Sequence, residues 1–225
     1  MIEIIPAVMP DSFEDLRDKV SFVASHTKTV QIDIMDGKFV KSRTWPYFSS
    51  DKHTFDDLLT ESDGMPYWDK VDYEVDLMIK NPEIEMENWI VAGAARVVVH
   101  VESTEKIPEI IKIIDNRAEL GLALNIDTPT EKILPYLEDI QFVQFMGIAT
   151  IGLQGEALDE RVIDKIHAFH NAHPEVVISV DGGVSFENAK MLIEIGVKRL
   201  VSGSVIFNTT NIPDTLENFK KLVNG

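Results

Sequence analysis

Three aspartates stand near the ends of apolar runs in this chain, where an inert core has no use for a carboxylate. Asp33 follows Gln31-Ile32, Asp76 follows Glu74-Val75, and Asp181 precedes Gly182-Gly183. Alternation along an extended run puts Gln31, Asp33 and Met35 on one side, and Glu74, Asp76 and Met78 on one side. A single such aspartate most simply caps a turn, and Asp36-Gly37 and Asp181-Gly182 are good turn pairs. Three together read differently, because clustered like charges cost energy unless a cation or a shared proton relieves them. Carboxylates so placed can take up and return protons. The glycines point to a second kind of group. Gly182-Gly183 and Ser202-Gly203-Ser204 follow the last two apolar runs. They form either plain tight turns or a phosphate site made of loop N–H groups.

The elements that must position these residues alternate along the chain. Short β-branched runs occupy residues 3–8, 29–34, 73–79, 96–101, 122–126, 142–148, 176–180 and 199–202. They are nearly apolar throughout, as parallel strands covered on both faces are. Amphipathic stretches at residues 13–24, 107–118, 161–172 and 189–195 predict helices between them. Asp11 is expected to open the first helix, Thr128-Pro129 to open another, and Gly121 and Gly196 to close two. About eight strands in 225 residues predict one α/β domain spanning 1–225, a closed (β/α)8 TIM barrel with catalytic groups at the strand C-termini. Residues 42–70 break the rhythm as a long β2–β3 connection with a short helical patch near 55–60. Its Trp45, Tyr47 and Trp68 are candidates to close over a ligand or to meet a partner subunit.

Composition narrows the functional classes. A net charge of −17 argues against nucleic acid and anionic membranes as partners. It leaves a small phosphorylated ligand possible, since salt screens the bulk field beyond about 10 Å. There is no cysteine, hence no disulfide or thiolate chemistry. The N-terminus lacks a signal-peptide pattern, and no stretch approaches the roughly 18 apolar residues of a membrane span. A soluble cytoplasmic protein is expected.

At these same residues the chain resembles the ribulose-phosphate 3-epimerase family from end to end. Ile32-Asp33-Ile34-Met35-Asp36-Gly37-Lys38-Phe39-Val40 is similar to the family's Asp-x-Met-Asp-Gly-x-Phe-Val signature. Asp76-Leu77-Met78 occupies its His-Leu-Met position, and Leu124-Asn125-Ile126-Asp127-Thr128-Pro129 its Leu-Asn-Pro-x-Thr-Pro. Val180-Asp181-Gly182-Gly183-Val184 and Val201-Ser202-Gly203-Ser204-Val205-Ile206-Phe207 match the closing motifs. The resemblance implies a phosphorylated ketose as substrate and homo-oligomeric association. It implies Asp33 and Asp181 as acid and base on opposite faces of the sugar, working through an enediolate. Ala7, Met35, Met78, Met146, Gly152, Gly155, Gly182, Gly183, Gly203 and Ser204 fall at substrate-binding positions, and Gln31, Asp33, Asp76 and Asp181 at the metal positions.

The departures lie in that site. Gln31 and Asp76 replace both metal histidines, Ala7 replaces a serine, and the loop Ala149-Thr150-Ile151-Gly152-Leu153-Gln154-Gly155 is rewritten. An amide and three carboxylates suit Mg²⁺ or Mn²⁺ better than zinc, and the other expectation is no metal at all. His100, alone at a strand end, reads as a satisfied core residue. Two other functions compete with epimerisation. The decarboxylases and hexulose-phosphate synthases of the same barrel type use Asp-x-Lys-x-x-Asp, and Met35 stands where their lysine would be. A non-catalytic phosphosugar binder would explain the lost histidines but would not need both Asp33 and Asp181.

Overall fold

The computed structural model describes residues 2–48 and 52–225. Eight parallel strands close on themselves in chain order: β1 Glu3–Val8, β2 Thr29–Met35, β3 Asp72–Met78, β4 Ala94–His100, β5 Glu119–Leu124, β6 Phe142–Met146, β7 Val177–Asp181 and β8 Arg199–Ser202. The expected (β/α)8 barrel is the fold. Helices lie between most strands: α1 Phe13–Val23, α2 Lys52–Leu59, α3 Met86–Val91, α4 Ile107–Ile114, α5 Arg161–Ala172, α6 Ala189–Glu194, α7 Ser204–Phe207 and α8 Ile212–Asn224. Their apolar stripes, such as Leu16, Val20 and Val23 of α1, pack against the outward side chains of the strands. Among the described residues no helix is long and apolar enough to cross a membrane.

Contacts across the barrel, and at the pairing of its first and last strands, show what fills it. Low in it, the buried Arg199 guanidinium of β8 bonds Glu74 of β3, reaches Glu3 at 3.3 Å and lies 3.8 Å over the Phe142 ring of β6. Burial pushes the Glu74 carboxyl up, and the Arg199 charge opposes that push. This charged floor closes one end. The other end, at the strand C-termini, holds the aspartates.

Four details depart from the expected elements. Helix α1 is capped by Ser12, whose hydroxyl accepts the Asp15 N–H at 3.0 Å; Asp11 instead donates its own N–H to the Asp15 carboxylate. Helix α4 stops at Ile114, because Asp115 and Asn116 turn left-handed (φ 42° and 61°). Gly121 therefore closes no helix. It lies inside β5, where a Cβ would stand 2.2 Å from the Phe142 ring. Thr128-Pro129 opens only a short 3₁₀ turn, Thr130–Lys132, followed by another at Leu134–Tyr136 that contains Pro135.

The 42–70 connection resolves unevenly. Residues 49–51 lie outside the described residues. Trp45 is fully buried against Phe13, Phe55 and Trp89, with centroids 5.3, 5.7 and 6.0 Å away, so it covers no ligand and meets no partner subunit. Tyr47 donates its hydroxyl to Glu85 at 2.5 Å. Trp68 is the exposed aromatic of the three, at 72%.

Candidate active site

Strands β2, β3 and β7 bring Asp33, Asp76 and Asp181 together, one carboxylate oxygen of each within 4.8 Å of the others, all buried. Local structure fixes the end of β2: the Thr44 hydroxyl donates to the Asp33 carbonyl at 2.7 Å and accepts the Met35 N–H at 2.9 Å. Asp36 leaves the cluster. Its carboxylate caps the following turn, accepting the N–H groups of Lys38 and Phe39, and also that of Lys80.

Two carboxamides thread between the three carboxylates. Gln31 Nε2 donates to Asp33 Oδ1 at 2.9 Å and to Asp181 Oδ2 at 2.8 Å. Gln144 Nε2, from β6, donates to Asp76 Oδ2 at 3.0 Å and to Asp181 Oδ2 at 3.5 Å. The other oxygen of Asp76 meets His100 Nε2 at 3.0 Å. Both oxygens of Asp76 are thus engaged. Asp33 and Asp181 each have one oxygen tied and the other outside this network, and these two line the main pocket, which Asp76 does not.

Burial and crowding raise the proton affinity of that pair. Asp33 is pushed well above the usual carboxylate range by burial, then by the charges of Asp181 and Asp76. Asp181 rises to about 7 through burial and the Asp76 charge, with the Gln31 hydrogen bond and His100 pulling the other way. For His100, burial favours the neutral ring, but the adjoining Asp76 carboxylate outweighs it and lifts the imidazole above its ordinary value. A group buried among carboxylates is where acid–base chemistry near neutral pH is expected.

The pocket is a cavity of about 330 Å³ at the strand C-termini. Of the expected contact residues, Ala7, Met78, Met146, Gly152, Gly155, Gly182, Gly183, Gly203 and Ser204 line it. Met35 does not: it packs against Met78 and Val40, behind the wall. Gly182 and Gly183 both adopt positive φ (93° and 70°), and a Cβ on Gly183 would come 2.5 Å from the Leu158 backbone. Asn188 secures this turn, donating to the Gly183 carbonyl at 2.8 Å and accepting the Ser185 N–H at 2.9 Å. Among the described lining residues the charged side chains are Asp33, Asp181 and Glu156, with no Lys or Arg. A phosphate here has to be met by neutral donors such as loop N–H groups and Gln154, whose amide lies beside Gly203.

Gln144 and the lining residues Met9 and Asn188 went unnoticed in the sequence, Gln154 stood out only as part of the rewritten loop, and His100 was undervalued. Its Nε2 engages Asp76, while its Nδ1 makes no hydrogen bond and faces Glu102 Oε2 at 4.0 Å, so it belongs to the charged cluster rather than to an inert core. A strand-alternation reading of β6 from Met146 back to Gln144 would have found the amide. The donor set fits a hard divalent cation: three carboxylates lie close together, and Gln31, whose buried Oε1 has no hydrogen-bond partner, would add an oxygen by turning over its amide, since its NH₂ now faces Asp33 and Asp181. The nearby imidazole nitrogen is taken by Asp76, which leaves the set oxygen-rich and unlike a zinc site.

Known proteins resemble the chain over nearly its whole length. The Ribulose-phosphate 3 epimerase family profile matches residues 3–207. The ribulose-phosphate 3-epimerase of Bacillus subtilis (strain 168) is 28% identical over 94% of this chain and 94% of its own length. That of Schizosaccharomyces pombe is 24% identical over 98% and 93%. Among solved structures, 3-hexulose-6-phosphate synthase from Salmonella typhimurium superposes with a TM-score of 0.73 at 13% identity, covering 99% of both chains. The 3-keto-L-gulonate-6-phosphate decarboxylase from Vibrio cholerae gives 0.72 at 14%, covering 99% and 97%. Those two likenesses establish the barrel alone, whereas the profile match spans nearly the whole sequence: this chain belongs to the ribulose-phosphate 3 epimerase family.

Proposed function

We propose that the chain, acting as one barrel over residues 1–225, is a ketose-phosphate 3-epimerase. It interconverts ribulose 5-phosphate and xylulose 5-phosphate, or the epimers of a related hexulose phosphate. One observation carries the reading: Asp33 and Asp181, from strands separated by β1 and β8, share one pocket, each with one oxygen anchored and one outside the anchoring network. Names of the sequence relatives support the same substrate class.

The chemistry needs one carboxylate to take the C3 proton while the electron pair moves into the C2 carbonyl, giving an enediolate. The other carboxyl then returns a proton to the opposite face. Their raised proton affinities suit the task, since one of the pair can stay protonated near neutral pH while the other is ionised. Gln31 holds one oxygen of each and so fixes the gap between them. Asp76, tied at both oxygens, supplies negative charge and support rather than a proton. The walls of Met78 and Met146 exclude water from the reacting carbon. A divalent cation held by Asp33, Asp76 and Asp181, joined by Gln31 Oε1 if its amide turned over, would supply Lewis-acid stabilisation of the enediolate oxygens, and such oxygen ligands suit Mg²⁺ or Mn²⁺.

Proton NMR of ribulose 5-phosphate in D₂O tests the reading, with chelator-treated protein and after incubation with Mg²⁺ or Mn²⁺, the latter removed before recording. Loss of the C3 signal with appearance of xylulose 5-phosphate is expected. Absence of exchange with both pentulose and hexulose phosphates would leave a phosphosugar-binding barrel without turnover.

A further inference from the structure

We propose that Gln144 is a positioning residue for Asp181, which makes the two halves of the reaction unequal in their dependence on it. The inference rests on the epimerase reading above. Gln144 belongs to none of the sequence motifs, yet it is fully buried in the barrel interior at β6. Its amide nitrogen has two protons. It donates to Asp76 Oδ2 at 3.0 Å, reaches Asp181 Oδ2 more loosely at 3.5 Å, and lies 3.9 Å from Met146 Sδ. The carbonyl end is oriented by Ser179, its register partner on β7, whose hydroxyl donates to Oε1 at 3.4 Å. That contact turns the NH₂ toward the carboxylates.

With Gln31, four N–H donors end on three carboxylates, and they are distributed unevenly. Asp33 receives one, from Gln31 alone. Asp181 Oδ2 receives one from each amide. Without Gln144, Asp76 and Asp181 face each other with no donor between them, and like charges at this distance repel. Asp76 is still held by His100. Asp33 and Asp181 both keep their Gln31 bonds, but of the two only Asp181 has lost a donor and faces the uncompensated Asp76 charge, so it is the one that shifts.

Turnover alone cannot reveal this asymmetry. The equilibrium constant fixes the ratio of kcat/KM in the two directions, so both fall together. Exchange of the C3 proton for solvent deuterium without inversion is free of that constraint. A sugar deprotonated by Asp33 can recover a deuteron from Asp33 whether or not Asp181 is in place. The opposite epimer depends on Asp181 for the same event.

The experiment measures deuterium wash-in to recovered ribulose 5-phosphate and xylulose 5-phosphate separately, in D₂O, with wild type, Gln144→Met and Ser179→Ala. Gln144→Met keeps length and volume but removes the donors. Asp33→Asn and Asp181→Asn, run alongside, assign each epimer to its base. Gln144→Met is expected to lower kcat/KM in both directions by roughly 10–100-fold, the cost of a small misplacement of a reacting group. Wash-in to the epimer handled by Asp181 should fall by at least about 10-fold more than wash-in to the other. Ser179→Ala should skew the two the same way, more weakly. Equal losses for both epimers, or no loss, would overturn the proposal.

A crystal structure of Gln144→Met separates failure of the inference from failure of the epimerase reading. Displacement of the Asp181 carboxylate with Asp33 unmoved is expected. An unmoved Asp181 overturns the inference whatever the activity, while a wild type inert toward both sugars, with Asp181 displaced in the variant, overturns only the epimerase reading.

Discussion

Asp33 and Asp181 share a single amide group: Gln31 Nε2 lies 2.9 Å from an oxygen of the first and 2.8 Å from an oxygen of the second. A neutral donor between two carboxylates holds them at fixed separation and lowers the proton affinity of each, but burial first and neighbouring carboxylate charge second outweigh it, so both stay raised. On the proposed reaction, Asp33→Asn and Asp181→Asn each lose at least about 10³-fold in kcat with the fold intact by circular dichroism. Near-wild-type turnover in either variant would rule out the two-base scheme.

Asp76 answers differently. Its oxygens are occupied by His100 and Gln144, so Asp76→Asn removes support and a cation ligand but no acid or base. Saturating Mn²⁺ at about 100 times its Kd is expected to stabilise wild type by roughly 2.7 kcal/mol, or about 5–11 °C in Tm. Thermal melts with Mn²⁺ and with chelator should show that increment shrinking to under about half in Asp76→Asn. A full increment in the variant would remove Asp76 from the ligand set.

The pair also predicts how stability depends on pH. The folded-state proton affinities of Asp33 and Asp181 both lie above the unfolded value of 3.8, and for Asp181 the folded protein holds the extra proton between that value and about 7. This contribution is fully present at low pH and is lost as pH rises through about 7. Under chelating conditions Asp181→Asn should therefore melt higher than wild type near pH 8, by about 1–2 kcal/mol or ~2–8 °C. The difference should be small at about pH 4.5. A difference constant with pH would exclude the titration as its source.

Gln154 is the side-chain amide nearest the Gly203 turn, in a pocket wall that offers a phosphate no cation. Gln154→Ala is expected to raise KM for the sugar phosphate about 10–100-fold, a lost hydrogen bond to a charged group, with kcat within about twofold. Steady-state kinetics checks both. A fall in kcat at unchanged KM would place Gln154 at the reacting centre instead.

Much of the architecture was legible because parallel strands buried on both faces announce themselves as apolar runs. The aspartates were legible because a carboxylate at such a strand end has no packing role. What escaped did so for identifiable reasons. Gln144 reads as an ordinary mid-strand polar residue until β6 is placed opposite β3, 68 residues away from Asp76 in sequence. Gly121 carries the signature of a helix terminator, yet what it accommodates is the Phe142 ring on the next strand. Trp45 suggested an exposed aromatic flap because loops are expected to be superficial, but Phe13, Phe55 and Trp89 form a socket for it drawn from three separate elements. Each missed feature is a contact between distant segments; alternation along β6 places Gln144 on the inward face, but periodicity names none of these partners.

The cation-free pocket wall has a kinetic corollary. A sugar phosphate dianion approaching a molecule of net charge −17 travels uphill in potential until the loop N–H groups take hold. Added salt flattens that slope, since the screening length falls from about 30 Å at 0.01 M to about 10 Å at 0.1 M. Wherever encounter limits kcat/KM, the rate constant should climb with ionic strength, the reverse of what a lysine-lined mouth would show.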